Sequence, residues 1–146
     1  MTISSADRHR ARPPSPGIVS ARTLSLWGPV AGTMAAIFVL SSMPSVPGPG
    51  FPHADKVGHV GLYAVLTWFV VRALGDGDVR RAGPGEWAAA AVLAIAYGAT
   101  DEMHQAFVPG RVASWADLGA DAIGAALTAV ARGAWSIIGR SGRHRV

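Results

Sequence analysis

Long apolar runs separated by short polar stretches dominate the pattern of this chain. The first run, residues 24–43, contains twenty residues without Asp, Glu, Lys or Arg. About 20 apolar residues are enough to cross the hydrocarbon core of a membrane. Further runs, each with few charges, follow over residues 57–74, 87–100 and 118–138. The pattern predicts an all-α fold in which four transmembrane helices form an integral membrane bundle.

The third run is the shortest of the four. Its fourteen apolar residues would cover about 21 Å as a helix, which is less than a full crossing. If the helix continues through residues 101–105 to Val108, it gains enough length but brings ionisable groups to membrane depth. A buried helix of a soluble protein and, for the first run, a secretory signal peptide are the alternative interpretations. The length of the first run favours uncleaved membrane spans.

The distribution of Lys and Arg predicts the orientation of these spans. From the N-terminal tail to the C-terminal end, successive flanks carry four, one, three, one and four basic residues. Basic residues accumulate on the cytoplasmic side of a membrane. Both termini are therefore predicted to be cytoplasmic, and the connections after the first and third spans to face outward. The predicted domains are a disordered basic tail (1–22), the membrane domain (23–139) and a second basic tail (140–146).

The composition agrees with a membrane protein and excludes several protein classes and kinds of site. Half of the residues are hydrophobic and 15% are charged, whereas soluble domains average about 25% charged residues. Disordered chains, coiled coils and most nucleic-acid-binding domains are thereby excluded, so no nucleic-acid partner is expected. Cysteine is absent, which leaves no disulfide, thiolate metal site or cysteine nucleophile.

Polar residues gather toward the outer end of three of the predicted helices. Helical spacing places Asp55, His59 and Tyr63 on one face, and the same holds for Tyr97, Asp101, His104 and Gln105. Asp117 and Asp121 lie near one face of the fourth helix. Ionisable groups at membrane depth are costly, so they usually face the interior of the bundle or a water-filled cavity. We expect a polar pocket there, although polar side chains also hold helices together without any further function.

The pocket residues could support several kinds of chemistry. Asp55 with His59, and Asp101 with His104, would each suit a general base oriented by a carboxylate, and the same atoms could ligate a divalent metal. No metal-binding or nucleophile motif is present, so no metal site is assigned and no cofactor can be named. Ser114 is expected to cap the fourth helix. Arg111 could hold a phosphate or carboxylate, or pair with a nearby acid.

Three segments resemble the motifs of the VanZ-like family. They are Asp-Lys-Val-Gly-His at 55–59 with Tyr63, Asp-Glu-Met-His-Gln-Ala-Phe-Val-Pro-Gly-Arg at 101–111, and Asp-Leu-Gly-Ala-Asp-Ala-Ile-Gly at 117–124. Many members carry Asn where this chain has Asp121. The resemblance implies a small bacterial membrane protein with a role in the cell envelope, since the namesake lowers sensitivity to the glycopeptide teicoplanin. It does not imply a known reaction.

The resulting function hypothesis is a protein that binds or protects an envelope lipid or cell-wall precursor in an outer polar pocket. The alternatives are a membrane-embedded enzyme, which could depend on a metal, and a proton-coupled transporter. Membrane lipids are the expected partners, and the oligomeric state is left open. The catalytic candidates are Asp55, His59, Asp101 and His104; the substrate-binding candidates are Lys56, Tyr63, Glu102, Gln105, Arg111, Asp117 and Asp121.

Overall fold

The computed structural model describes residues 20–44 and 52–141, with side chains up to residue 131. Four helices account for most of this part: α1 (Ala21–Ser41), α2 (Ala54–Leu74), α3 (Pro84–Gln105) and α4 (Trp115–Ser141). The expected all-helical fold is confirmed. The tails predicted at 1–22 and 140–146 lie largely outside the described residues, and α1 begins two residues before the predicted domain boundary.

Local sequence explains where the helices begin. The Ser20 hydroxyl accepts a hydrogen bond from the Thr23 amide at the start of α1, and Pro84 occupies the first turn of α3, where its missing N–H costs nothing. Glu86 accepts from the Gly83 amide at the same end. Ser114 accepts from the Ala116 amide, 3.2 Å away, so its predicted role as the cap of α4 is confirmed.

The third helix shows how far the shortest apolar run extends into the polar residues that follow it. It does continue through the polar stretch, and it ends at Gln105. Residues 106–114 are a non-helical connection, so the predicted extension to Val108 is three residues too long. The turns that follow the helix are closed by Phe107 and Val108, whose amides donate to carbonyls near the helix end.

The helices form an antiparallel bundle with α2 at its centre. Among the described residues, α2 packs against all three other helices and most extensively against α4, whereas α1 contacts only α2 and α3. The core of α2 includes Leu66, Val70 and Val71, which are all nearly inaccessible. This arrangement brings the C-terminal ends of α1 and α3 together with the N-terminal ends of α2 and α4.

Large apolar side chains also cover the outside of the bundle. By length and composition, two helices of the described part, α1 and α2, are apolar enough to cross a membrane. Exposed residues of the other two helices include Val92 on α3 and Val130 on α4, at 64% and 67% exposure. Outward-facing apolar surfaces of this extent mark contact with a membrane or a partner.

Candidate functional site

The polar side chains converge at the end of the bundle where α2 and α4 begin. We call this group the polar cluster; it comprises Ser41, Ser42, Asp55, Lys56, His59, Asp101, Glu102, His104, Gln105, Asp117 and Asp121. All four helices contribute to it. Ten of the residues lie in one of the four helices, and Ser42 immediately follows α1. The gathering of acids, histidines and amides at one end, predicted from helical spacing, is present in the structure.

Lys56 joins α2 to α4 through an ion pair. Its Nζ lies 2.7 Å from Asp117 Oδ1 and 3.3 Å from Asp55 Oδ2. The Asp117 side chain is only 12% exposed, whereas that of Asp55 is 60% exposed. Two carboxylates therefore already neutralise the ammonium group that was expected to meet an anionic ligand.

His59 makes the second connection between these two helices. Its Nδ1 lies 2.8 Å from Asp121 Oδ1. Asp121 is completely buried, and within the described part of the chain its other oxygen, Oδ2, has no hydrogen-bond partner. That oxygen lies against Gly98 of α3, where an added Cβ would come within 2.6 Å of it. A glycine at this position makes room for the carboxylate between α3 and α4.

Two neighbouring acids of α3 face different parts of the site. Asp101 accepts from the Ser41 hydroxyl at 2.5 Å, which ties α3 to α1, and from Gln105 Nε2 of its own helix at 2.9 Å. Glu102 accepts from the Ser114 amide at 2.7 Å and from Gln105 at 3.3 Å. Both carboxylates are buried, and Gln105 bridges them.

The hydrogen-bond partners differ from the pairs expected from sequence. His59 binds Asp121 rather than Asp55, and His104 Nε2 lies 2.9 Å from the Ser42 hydroxyl rather than binding Asp101. The His104 ring also stacks on Phe38 of α1, with centroids 4.6 Å apart. Residues three or four positions apart share a helix face, but their side chains reach across to the neighbouring helix when it offers a hydrogen-bond partner.

His59, Glu102 and Asp121 form the densest part of the polar cluster. One potential ligand atom from each lies within 4.8 Å of the other two. The three residues come from three different helices. Tyr63 lies one turn below His59 with a nearly parallel ring, the centroids being 6.2 Å apart. Its hydroxyl is buried and has no hydrogen-bond partner among the described residues.

An apolar groove borders this site. It has a volume of about 380 Å³ and lies between the end of α3, the 106–114 connection and the start of α4. Its lining is formed by Ala99, Glu102, Met103, Ala106, Ala113, Ser114, Trp115 and Leu118. Glu102 therefore belongs both to the polar cluster and to the wall of the groove, and it is the only charged residue of that wall.

Arg111 lies in the same connection. Its side chain forms no ion pair within the described part of the chain, so the pairing considered with Asp101, Glu102 or Asp117 is absent there. Its Nε is buried without a hydrogen-bond acceptor among the described residues. A guanidinium group that is not engaged in an ion pair can bind an anion in a bidentate manner.

Comparison with known families places these features in context. The profile of the family described as VanZ/LLP1 matches residues 17–135, which is most of the chain. The protein belongs to the VanZ/LLP1 family. No curated protein and no solved structure matches the chain. Membership of the VanZ/LLP1 family together with two sufficiently apolar helices indicates a membrane protein.

The three VanZ-like motifs meet in space. The first supplies Lys56 and His59 from α2, the second supplies the acids at the end of α3, and the third supplies Asp117 and Asp121 from α4. The ion pair of Lys56 with Asp117 and the hydrogen bond of His59 with Asp121 join the first motif to the third. A carboxylate oxygen of Glu102, from the second motif, lies within 4.8 Å of ligand atoms of His59 and Asp121. The clustering explains why these distant segments of a VanZ/LLP1 chain form one site.

The contribution of α1 to the polar cluster was not predicted from the sequence. Ser41 and Ser42 bind Asp101 and His104, respectively, yet both lie at the end of the long apolar run. Two adjacent hydroxyls at the outer end of a predicted span were the available signal. The groove was not predicted either, because its apolar residues belong to separate segments that only the fold brings together.

Proposed function

We propose that this VanZ/LLP1 protein binds an anionic envelope lipid or lipid-linked cell-wall precursor at the outer leaflet of the cytoplasmic membrane. In this proposal all four helices span the membrane, both termini are cytoplasmic, and the membrane domain extends over residues 23–139. Three findings support it: family membership, apolar faces on every helix and the alternating number of basic residues in the flanks.

The observation that carries the proposal is an apolar groove that ends at a polar wall. A lipid needs a surface for its hydrocarbon chain and polar partners for its head group. The groove offers Met103, Trp115 and Leu118 to the chain, and Glu102 and the Ser114 backbone mark its polar side. Trp115 is 88% exposed, and tryptophan side chains favour the boundary between hydrocarbon and water.

Arg111 is the head-group ligand in this proposal. It lies in the connection that lines the groove, and no carboxylate of the described residues pairs with it. A guanidinium group can donate two parallel hydrogen bonds to a phosphate. Lys56, which was expected to share this role, instead stabilises the mouth of the site through Asp117 and Asp55.

The test is native mass spectrometry of the purified full chain with phosphatidylglycerol and with phosphatidylcholine. We expect the wild-type protein to retain phosphatidylglycerol in preference to phosphatidylcholine. Replacing Arg111 with Gln should weaken phosphatidylglycerol retention by roughly 10-fold, the equivalent of a charge-assisted hydrogen bond of about 1.5 kcal/mol. Arg81→Gln is the matched control, because this exposed residue lies at the opposite end of α2.

Equal retention of the two lipids by the wild-type protein would contradict the proposal, as would equal losses in Arg111→Gln and Arg81→Gln. The same lipid assay extends to lipid-linked cell-wall precursors. If the protein protects such a precursor, its expression should lower sensitivity to teicoplanin, and Arg111→Gln should restore that sensitivity.

A membrane-embedded enzyme is the second candidate, and the His59–Asp121 pair favours it. A buried carboxylate hydrogen-bonded to a histidine orients the ring and stabilises its protonated form, which is the arrangement of a general base. In this version Asp121 takes the role that sequence analysis gave to Asp55. Conversion of a bound lipid by the wild-type protein, and its loss in a folded His59→Gln variant, would distinguish an enzyme from a binding protein.

The few polar side chains in the inner half of the bundle do not favour a transport function. The Thr67 hydroxyl donates to the Tyr63 carbonyl, and the Thr128 hydroxyl donates to the Ala64 and Gly124 carbonyls. Both hydroxyls are thus occupied by backbone acceptors.

A further inference from the structure

We propose that His59, Glu102 and Asp121 form a binding site for a divalent transition-metal ion. The three side chains project from α2, α3 and α4, and one ligand atom of each lies within 4.8 Å of the others. A single imidazole nitrogen with two carboxylate oxygens suits Zn²⁺ and related ions. The inference goes beyond lipid binding and does not depend on it.

The buried oxygen of Asp121 points independently to a ligand. Oδ2 belongs to a side chain with no exposed surface, and no described residue donates a hydrogen bond to it. An unsatisfied buried carboxylate oxygen is expensive unless a cation or a donor compensates it. Gly98 leaves just enough room for this oxygen between the helices. A metal ion would supply the missing partner.

The distances allow coordination after small movements. Zn²⁺ lies about 2.0–2.2 Å from nitrogen and oxygen ligands, which places tetrahedral ligand atoms about 3.5 Å from one another. The present separations of up to 4.8 Å therefore require inward shifts of roughly 1 Å, which side-chain rotation supplies. His59 and Asp121 already lie 2.8 Å apart, so binding exchanges their hydrogen bond for coordination.

Two neighbouring hydrogen-bond donors would hold the Glu102 carboxylate in place. The Ser114 amide and Gln105 Nε2 both donate to the Glu102 carboxylate. Such outer hydrogen bonds orient metal ligands and raise their affinity. Three protein ligands leave at least one coordination position for water or a substrate oxygen. Because Glu102 also lines the apolar groove, the metal would lie beside a lipid bound there.

Charge balance supports the same conclusion. The polar cluster contains five carboxylates, namely Asp55, Asp101, Glu102, Asp117 and Asp121. Lys56 pairs with Asp55 and Asp117, and His59 pairs with Asp121 when its ring is protonated. No Lys or Arg side chain within the described residues pairs with Asp101, Glu102 or Asp121. A divalent cation between Glu102 and Asp121 would compensate this excess of negative charge.

The test uses the purified full chain in detergent, carrying no histidine tag and freed of metal with a chelator. Titration with ZnCl₂ by calorimetry should show one Zn²⁺ ion bound per chain, with much weaker binding of Mg²⁺. We expect His59→Gln and Asp121→Asn to lower the affinity by about 100-fold or more, since even changes to outer partners cost 10–100-fold. Asp78→Asn is the control, because this acid lies in the 75–83 connection at the opposite end of the bundle.

Zinc X-ray absorption of the wild-type protein provides a readout that needs no variant. It should show one imidazole and additional oxygen ligands at about 2.0 Å. The proposal is overturned if Zn²⁺ does not saturate at one equivalent, if no imidazole is detected, or if correctly folded His59→Gln and Asp121→Asn bind Zn²⁺ as tightly as Asp78→Asn. Circular dichroism and elution as a single species establish folding of the variants.

Discussion

At the scale of single residues, Gly124 lets the backbones of α2 and α4 come close together. A Cβ placed at this position would collide with the Val60 carbonyl oxygen and lie 3.0 Å from the Ala64 amide nitrogen. Neither backbone atom can move aside as a flexible side chain could. One helix turn further on, the Thr128 hydroxyl donates to the Ala64 carbonyl. Small residues allow such close helix packing in membranes.

Replacing Gly124 with Ala should therefore separate α2 from α4. Overpacked sites usually cost about 1–3 kcal/mol of unfolding free energy, so we expect lower thermal stability in detergent. Gly119→Ala is the matched control on the same helix, since nothing lies within 4 Å of its Cβ position. Thermal unfolding followed by circular dichroism measures both. Equal melting temperatures for the two variants would contradict this account of Gly124.

The sequence pointed to nine of the eleven residues of the polar cluster, all except Ser41 and Ser42, but paired the histidines with other acids than the structure does. His59 was expected beside Asp55, which lies on the same helix, but its ring binds Asp121 of α4. Spacing along one helix determines which residues share a face. The rotation of two helices against each other determines which side chains meet, and the local spacing does not contain that information.

At the scale of secondary-structure elements, α1 is the least embedded helix. It buries only Val30, Ile37 and Ser41 among its residues. Its attachment is polar at both ends. At one end Arg22 pairs with Asp76 and Arg72 donates to the Ser25 carbonyl. At the other, Ser41 and Ser42 bind the acid and the histidine of α3.

Removing both outer hydroxyls should loosen α1. Polar contacts between membrane helices contribute about 0.6 kcal/mol on average and at most about 1.7 kcal/mol. The Ser41→Ala, Ser42→Ala double variant should thus lose about 1–3 kcal/mol of stability, measured by denaturant unfolding in detergent. Ser25→Ala is the control, because among the described residues that hydroxyl donates only to the Arg22 carbonyl on its own helix. A double variant as stable as the control would show that these bonds do not hold α1.

Helix positions were predictable because long apolar runs and helix-start residues mark them along the chain. The apolar run at 24–43 became α1, which starts and ends slightly earlier, and Pro84 with Ser114 marks helix starts by simple backbone chemistry. The end of α3 was harder to predict. Its last turn is polar, and there Asp101 accepts from Ser41 of α1 and from Gln105 of its own helix.

At the scale of the whole molecule, the two ends of the bundle differ in charge. The polar cluster gathers acidic side chains at one end. The opposite end carries Arg22, Arg72, Arg80 and Arg81 at or near the 75–83 connection. This asymmetry agrees with the orientation that the count of basic residues predicts, with the arginine-rich end in the cytoplasm. The fold explains how sequence segments of like charge come to lie on the same side.

Single cysteines introduced into this cysteine-free chain can test the orientation. We expect Asp55→Cys and Val112→Cys to react with a membrane-impermeant maleimide in intact cells, because both sites are exposed at the polar-cluster end. Arg81→Cys, exposed at the opposite end, should react only after the cells are permeabilised.

The reverse pattern would place the groove and Arg111 on the cytoplasmic side and exclude binding at the outer leaflet. Labelling of all three sites in intact cells would instead mean that the helices do not cross the membrane as proposed. Because the metal site depends only on side chains inside the bundle, it would remain testable under either orientation.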